Sequence, residues 1–210
     1  MIKLGIIGAG DLGIQILHLA RQCTTFEVVA FFDDTKTRNS LIESVPVVDA
    51  IDNIQQAYDG GIFEQLVIAI GYKHMSFRSQ LYDRFKGSIS FANIIHPTAF
   101  IDTTACLGEG VVVYPGVIVD MNATIGNNTL LNIGTCIAHD SQIGDHSFIS
   151  PKVTVAGQVN IGKQCNIGVS TTIIDHITIA PQCHTGGGTV VIKDLTKKGL
   201  YVGNPARFIR

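Results

Sequence analysis

The sequence predicts an α/β plus all-β fold. A Rossmann-like βαβ domain is expected over residues 1–93, and a left-handed parallel β-helix with a C-terminal cap over residues 94–210. Two observations predict this fold. Fifteen hexapeptides follow one another without a break from Ile95 to His184. Before them, apolar strand-like segments alternate with helical segments, as in domains built on a parallel sheet.

The hexapeptide pattern indicates where the residues of the second domain point. The first position is always Ile, Leu or Val, the fifth is small or β-branched, and the second is often a turn former such as Gly or Asn. A period of six fits neither a helix nor a single strand. It fits a triangular prism in which each six supplies a strand and a corner, and three sixes make one coil. Five coils spaced about 4.8 Å apart give a stack roughly 24 Å tall, and no coil buries its apolar side alone.

The first domain is expected to contain four strands and two helices. One helix should carry Ile14, Leu17 and Ala20 on one side, and the other should run through Phe77, Leu81 and Phe85. The strands are expected at Lys3–Ile7, Glu27–Phe32, Gln65–Ile70 and Ile89–Asn93. After His184 the chain is expected to leave the repeat, form a strand at Thr189–Ile192 and cap the open end of the stack.

Composition excludes several classes of function. Net charge is −2 and only 15% of residues are charged, so no basic surface for nucleic acid or anionic membrane is expected. No apolar run approaches the ~20 residues of a membrane span, and the start lacks a signal-peptide pattern. The five cysteines show no CxxC spacing. We therefore expect a cytoplasmic protein whose cysteines are reduced and act as small hydrophobic residues, with no metal site.

A glycine-rich turn between the first strand and helix is the first candidate site. Gly8, Gly10 and Gly13 satisfy GxGxxG, and Asp33 lies twenty residues past Gly13. Such a loop can hold phosphates while the acid reaches a ribose hydroxyl. The pattern alone indicates NAD, but a domain of this size holds one mononucleotide-binding half, so a nucleoside-diphosphate ligand fits better. The alternative is a tight turn without a ligand, and Asp11 would repel phosphate.

The second candidate is the pair His139 and Asp140, at the third and fourth positions of one hexapeptide. These positions should face outward, and histidine next to a carboxylate makes a good general base. The alternative is a solvated histidine without a role. That reading is preferred for the other histidines, which are His18, His74, His96, His146, His176 and His184.

The stretch from Asn132 to Asp140, NIGTCIAHD, resembles the active-site stretch of the bacterial nucleotide-amino-sugar N-acetyltransferases, which belong with the sialic-acid O-acetyltransferase-like sugar acyltransferases of the hexapeptide-repeat superfamily. Further matches to that family are Gly8-Ala9-Gly10, Asp33-Asp34, Ala69-Ile70-Gly71 with Arg78, and Val202-Gly203-Asn204-Pro205-Ala206-Arg207. The resemblance covers nearly the whole chain.

The resemblance implies transfer of acetyl from acetyl-CoA to the amino group of a UDP- or dTDP-linked sugar, such as a 4-amino-4,6-dideoxyhexose, for surface polysaccharide or glycan biosynthesis. It makes His139 the general base, Asp140 its orienting acid in place of the family's usual Glu, and Asn132 a positioning residue. The nucleotide sugar would contact Gly8, Gly10, Asp11, Leu12, Asp33, Asp34 and Gly71. Acetyl-CoA would contact Phe148, Gly157, Val169 and Gly187.

The resemblance also implies a homotrimer with acetyl-CoA between neighbouring prisms. One departure is that the family's second histidine, which contacts the acetyl donor, aligns with Phe148. Two other functions stay open from the sequence. One is a sugar O-acetyltransferase of the sialic-acid type, with a hydroxyl acceptor, and the other is a solenoid that binds a partner without catalysis.

Overall fold

The computed structural model describes residues 1–210 and divides into two compact units, Met1–His96 and Pro97–Arg210. The expected boundary, after residue 93, lies close to this division. No helix in the structure is both long and apolar enough to cross a membrane.

The first unit is built on a five-stranded sheet in the order β3-β4-β2-β1-β5. Strands β4, β2, β1 and β5 are parallel, and β3 pairs with β4 in the antiparallel sense. The elements are β1 (Ile2–Ile7), α1 (Asp11–Gln22), β2 (Phe26–Phe32), β3 (Leu41–Ile42), β4 (Val45–Asp49), α2 (Ile54–Asp59), β5 (Gln65–Ile68) and α3 (Met75–Phe85). Single 3₁₀ turns at Ile51–Asn53 and Tyr72–His74 precede α2 and α3.

The structure confirms the βαβ alternation but corrects one strand. The segment Ile89–Asn93 is not a strand: only Phe91 forms a bridge, to Leu66 of β5. The next strand along the chain, the two-residue segment Ile94–Ile95, is the first strand of an eight-stranded sheet and does not join the five-stranded sheet. The expected helix at Phe77 is present as α3, yet Phe77 itself is exposed, because the buried side of α3 runs through Arg78, Leu81 and Phe85.

The sequence does not predict the β3–β4 hairpin or α2. The hairpin turn places Glu43 and Ser44 at φ values of 49° and 71°. A two-residue turn of this kind needs a positive φ at both central residues, and its usual sequence is Asn-Gly. Glu-Ser carries no such signal. Beyond the hairpin, α2 packs into the core of the sheet together with Phe63, whose ring meets Phe32 edge-on at 5.4 Å.

The second unit is the expected prism, and each residue pairs with the residue eighteen positions along the chain, for example Ile118 with Cys136. The first face holds Phe100–Ile101, Ile118–Val119, Cys136–Ile137, Thr154–Val155, Thr172–Ile173 and Val190–Val191. The second face holds Cys106–Leu107, Thr124–Ile125, Gln142–Ile143, Asn160–Ile161 and Thr178–Ile179. The third face holds Val112–Val113, Leu130–Leu131, Phe148–Ile149, Asn166–Ile167, Cys183–Thr185, Gly199–Val202 and Arg207–Phe208.

The interior of the prism follows the predicted pattern. The first-position residues from Val113 to Ile179 are all buried. Polar residues at the fifth position are buried as well, because their hydroxyls donate to carbonyls: Ser141 Oγ lies 2.9 Å from Ala156 O. Cysteine behaves there as a small apolar residue, and burial raises the pKa of Cys165 to about 12.

The corners are made differently from the expectation. From Gly110 to Gly188, the fourth position of every hexapeptide has a positive φ, including the non-glycine residues Asp140, Lys152 and Gln158. The left-handed fourth residue therefore turns the chain. Glycine at the second position has another role, because the next coil approaches closely: a β-carbon on Gly126 would lie 2.5 Å from Asp145 Oδ1.

The repeat also runs further than predicted. After His184 the chain adds one irregular coil, with Val190–Val191 on the first face, a bridge from Leu195 to Ile179 on the second, and Gly199–Val202 on the third. Arg207–Phe208 then folds back antiparallel on that last strand. The folded-back strand covers the open edge, as a cap for the stack should.

Candidate active site

His139 and Asp140 occupy the corner that follows the strand Cys136–Ile137 of the first face. Both side chains are about half exposed, at 48% and 39%. His139 Nδ1 lies 2.9 Å from Asp140 Oδ2. Asp140 has a φ of 57°, so the corner itself turns the short carboxylate back onto the preceding imidazole. The shorter acid thus meets the base that the sequence analysis assigned to it.

The charge on Asp140 decides which imidazole nitrogen can act as a base. Hydrogen bonds from His139 and then from Asn122 hold the pKa of Asp140 below its ordinary value. An ionised carboxylate only accepts hydrogen bonds, so Nδ1 of neutral His139 must carry the proton. The lone pair is then on Nε2, the nitrogen that points away from Asp140.

Gly157 lies one coil further along the same corner, directly against the His139 ring. A β-carbon built on Gly157 would stand 2.6 Å from Nε2 and 2.7 Å from Cε1 of His139. The flanking amides of Ala156 and Gln158 donate to Ile173 O and His139 O, whereas the Gly157 N–H donates to no group of the chain. A free N–H beside a basic nitrogen is an arrangement that can polarise a carbonyl while a proton is removed nearby.

The chain does not bring the other expected residues of the prism to His139. Asn132 lies at the opposite end of the first-face strand, where its Oδ1 accepts the Ile133 N–H at 2.8 Å. Val169 and Gly187 stand at that same far corner, with a Gly187 β-carbon position 3.0 Å from Val169 Cγ1. Phe148 is buried on the third face. Within one chain these residues cannot share a site with His139.

One residue of this corner, Asn122, is not among the site residues predicted from the sequence. Asn122 Nδ2 donates to Asp140 Oδ1 at 3.1 Å. The signal that would have found it is its place in the repeat, because it precedes Asp140 by one full coil of eighteen residues. Residues separated by eighteen positions lie directly above one another on successive coils of the prism.

The outer surfaces of the first two faces differ in polarity. The second face presents polar side chains, among them Thr124, Gln142, Asn160 and Thr178. The first face and its two corners present apolar side chains with exposed fractions from 38% to 57%: Phe100, Ile118, Met121, Ile133, Val169 and Ile174, followed by Ile192 at 43%. The same face also carries exposed Thr154 and Thr172, but a concentration of exposed apolar side chains on one side of the prism is typical of an interaction surface.

The glycine-rich turn of the first unit separates into packing glycines and open ones. Gly8 has a φ of 101° and a β-carbon on it would lie 2.9 Å from Ala69 O. A β-carbon on Gly13 would overlap Gly8 O. In contrast, a β-carbon on Gly10 or Gly71 would meet nothing within 4 Å. Gly10 and Gly71 therefore border open space at the carboxyl ends of β1 and β5, where ligands of such sheets bind.

The two acidic residues after β2 hold the backbone around that space. Asp33 Oδ2 accepts the Ala9 N–H at 2.7 Å, and its Oδ1 accepts from Thr35. Partial burial raises the pKa of Asp33, but the hydrogen bonds from Thr35 and Ala9 outweigh the burial and leave the pKa below its ordinary value. Asp34 Oδ1 accepts the Ile51 N–H at 2.9 Å. Asp11 and Leu12 form the first turn of α1, with Asp11 exposed.

Two family models match the chain. Residues 3–85 match the PglD N-terminal domain, and residues 122–157 match the bacterial transferase hexapeptide of six repeats. No curated protein matches it significantly.

Three solved structures are similar over essentially the whole chain. Perosamine N-acetyltransferase from Caulobacter crescentus, solved as a His-to-Asn mutant with CoA and GDP-perosamine, is 30% identical with a TM-score of 0.92 over 99% of this chain and 97% of that one. The acetyltransferase domain of PglB from Neisseria gonorrhoeae is 25% identical with a TM-score of 0.92, and WeeI from Acinetobacter baumannii is 26% identical with a TM-score of 0.86. Both comparisons cover 100% of each chain.

Proposed function

Because this chain belongs to the bacterial nucleotide-amino-sugar N-acetyltransferases, we propose that it transfers the acetyl group of acetyl-CoA to the amino group of a nucleotide-linked amino sugar. The observation that carries the proposal is the corner formed by His139, Asp140 and Gly157, in which a base with a fixed tautomer stands beside a free N–H. A hydroxyl acceptor would use the same corner, and the amine is chosen because the similar perosamine N-acetyltransferase is an N-acetyltransferase.

The proposed chemistry uses both sides of the corner. The sugar nitrogen attacks the thioester carbonyl carbon, and His139 Nε2 takes the proton that the nitrogen loses. Asp140 stabilises the resulting imidazolium, and the Gly157 N–H stabilises the oxyanion, a contact worth about 3 kcal/mol where it has been removed in other enzymes. The carbon–sulfur bond then breaks, and the leaving thiolate receives the proton from His139.

We assign the nucleotide sugar to the first unit and acetyl-CoA to the prism. The open space at Gly10 and Gly71 supports the first assignment, with Asp33 and Asp34 bordering the nucleoside. The acceptor is expected to be a 4-amino-4,6-dideoxyhexose. The family resemblance implies UDP or dTDP as the carrier, while the perosamine N-acetyltransferase was solved with GDP-perosamine, so all three nucleotides belong in the test.

We further propose that the active unit is a homotrimer located in the cytoplasm. The apolar first face supports the trimer, because three prisms packed in parallel would bury it and close by threefold symmetry. The trimer would also explain the separation of the site residues. Asn132, Val169 and Gly187 are remote from His139 in one chain, and a neighbouring subunit can supply them. All five cysteines are free, three of them buried, with Cys106 exposed and Cys136 half-buried, and free cysteines suit a reducing compartment.

Transfer assays with GDP-, UDP- and dTDP-linked 4-amino sugars test the proposal. Mass spectrometry should find one acetyl group added per sugar, and mild base should leave it in place because the product is an amide. An ester product that mild base removes would indicate the O-acetyltransferase reaction instead. Absence of transfer to every acceptor, with no acetyl-CoA binding by calorimetry, would favour a non-catalytic solenoid.

A further inference from the structure

Asn122 contacts the proposed catalytic pair from the preceding coil of the prism. The Asp140 carboxylate has one oxygen on each neighbour: Oδ2 lies 2.9 Å from His139 Nδ1, and Oδ1 lies 3.1 Å from Asn122 Nδ2. The amide of Asn122 is therefore the group that holds the carboxylate on the side away from the imidazole. A carboxylate held by both oxygens cannot rotate without losing one of these hydrogen bonds.

Asn122 is itself held in place. It occupies the fourth, left-handed position of its hexapeptide, with a φ of 56°. Its backbone N–H donates to Thr104 Oγ1 at 2.9 Å, and that hydroxyl donates to Asp102 Oδ1 at 2.6 Å. The contacts thus run through three successive coils and end at the His139 ring.

The arrangement compensates for the short acid. The side chain of Asp140 is one methylene shorter than that of glutamate, the family's usual acid. The corner is also about half exposed to water. Water competes for both carboxylate oxygens there, and a single exposed hydrogen bond therefore does little to fix the carboxylate. A second donor fixed by the solenoid restricts the carboxylate to the orientation that meets Nδ1.

We propose that Asn122 is a positioning residue that acts through Asp140 to keep the proton of neutral His139 on Nδ1 and the lone pair on Nε2. Asn122 touches neither reacting group. This inference rests on the proposed function only for its effect on rate, since the tautomer of His139 is a property of the free protein.

The test removes the amide without disturbing the corner. Asn122→Gly keeps a residue that accepts positive φ. Asn122→Ser uses a residue type that already adopts the same fourth, left-handed position of a hexapeptide at Ser170, on another corner, with a φ of 55°. Neither can reach Asp140. The matched control is Gln182→Gly, which removes a coil-to-coil hydrogen bond to Gln164 Oε1 of 2.9 Å at a left-handed position of a different corner.

We expect kcat to fall roughly tenfold in both Asn122 variants, because each loses one hydrogen bond to a charged group. The KM of each substrate should change little. The acid limb of the kcat/KM profile should move to lower pH, because a loosened carboxylate stabilises the imidazolium less. Gln182→Gly should change neither quantity. ¹⁵N NMR of the imidazole should show Nδ1–H in the wild type and a mixture of tautomers in the variants.

Two results would overturn the inference. One is an unchanged His139 tautomer and titration in folded Asn122→Gly and Asn122→Ser. The other is a loss of kcat in Gln182→Gly as large as theirs, which would mean that the effect is one of solenoid stability. A wild-type protein that acetylates no amine defeats the proposed function but leaves the NMR result to decide the role of Asn122.

Discussion

Gly157 stands so close to His139 that a β-carbon on the glycine would lie 2.6 Å from Nε2 of the imidazole. The close approach has a simple origin in the repeat, since successive coils place residues eighteen apart in one column. Any residue with a side chain at position 157 would push the ring off the corner. The absence of a side chain therefore leaves the basic nitrogen and the free N–H on one open surface.

Gly157→Ala should lower kcat by about 10²-fold, because its methyl group would displace the His139 ring and a misplacement of a reacting group by about 1 Å lowers the rate by that much. Folding should be retained, since the corner is exposed and the imidazole can swing outward. The matched control is Gly60→Ala, where the new β-carbon meets only Gln56 O and Ala57 O at 3.3 and 3.6 Å. Wild-type kcat in a folded Gly157→Ala protein would remove the argument for this glycine.

Gly10→Leu should raise the KM for the nucleotide sugar and leave the KM for acetyl-CoA almost unchanged. A β-carbon at Gly10 would meet no atom within 4 Å, so we expect the fold to tolerate the side chain while a bound diphosphate does not. Gly13→Ala should instead destabilise the protein, because its β-carbon overlaps Gly8 O. Calorimetry decides the ligand: tight NAD binding, without binding of any nucleotide sugar, would contradict the site.

Asp33 should make acid stability depend on pH in a defined sense. Its pKa in the folded protein lies below the ordinary value, so its carboxylate stabilises the fold fully above an unfolded-state pKa of about 3.9. That contribution disappears as the pH falls through the lower folded-state pKa. Asp33→Asn should lower the melting temperature at pH 7 and flatten its decline between pH 5 and 2. Parallel melting curves for both proteins across this range would contradict the assignment.

Ile118→Asp should dissociate the proposed trimer and abolish most acetyl transfer. Ile118 is 45% exposed on the second of the six strands of the first face, where a carboxylate buried by a neighbouring subunit would be unpaired. Thr124→Asp is the control, because it occupies the same hexapeptide position on the polar second face. Sedimentation velocity should find a trimer for the wild type and the control. A fully active wild-type monomer would refute both the trimer and a site shared between subunits.

Most of the prism could be predicted because the residues that repeat every six positions are aliphatic and can only point into the interior. A first-position residue such as Ile137 must point inward, and the eighteen-residue coil follows from that. Outward placement of His139 and Asp140 followed from the same count. The period did not predict that the fourth residue of each hexapeptide turns the chain, because Lys152 and Gln158 adopt a left-handed backbone that their residue types disfavour.

The remaining errors have local causes. Glu43 and Ser44 form a turn without a turn sequence, so the β3–β4 hairpin stayed hidden. The segment around Phe91 is apolar enough for a strand but pairs with β5 at one residue only. Asn122 was missed because a sequence motif is read along the chain, whereas the contact to Asp140 crosses from one coil to the next.

The most direct test of the account is the kcat of His139→Ala for acetyl transfer to a nucleotide-linked 4-amino sugar. The side chain is half exposed and contributes little to packing, so circular dichroism should match the wild type. We expect a loss of about 10²–10⁴-fold, the usual range for a general base, and a smaller loss in Asp140→Asn. A folded His139→Ala protein that turns over at a near-normal rate would contradict the assignment of His139 as the base.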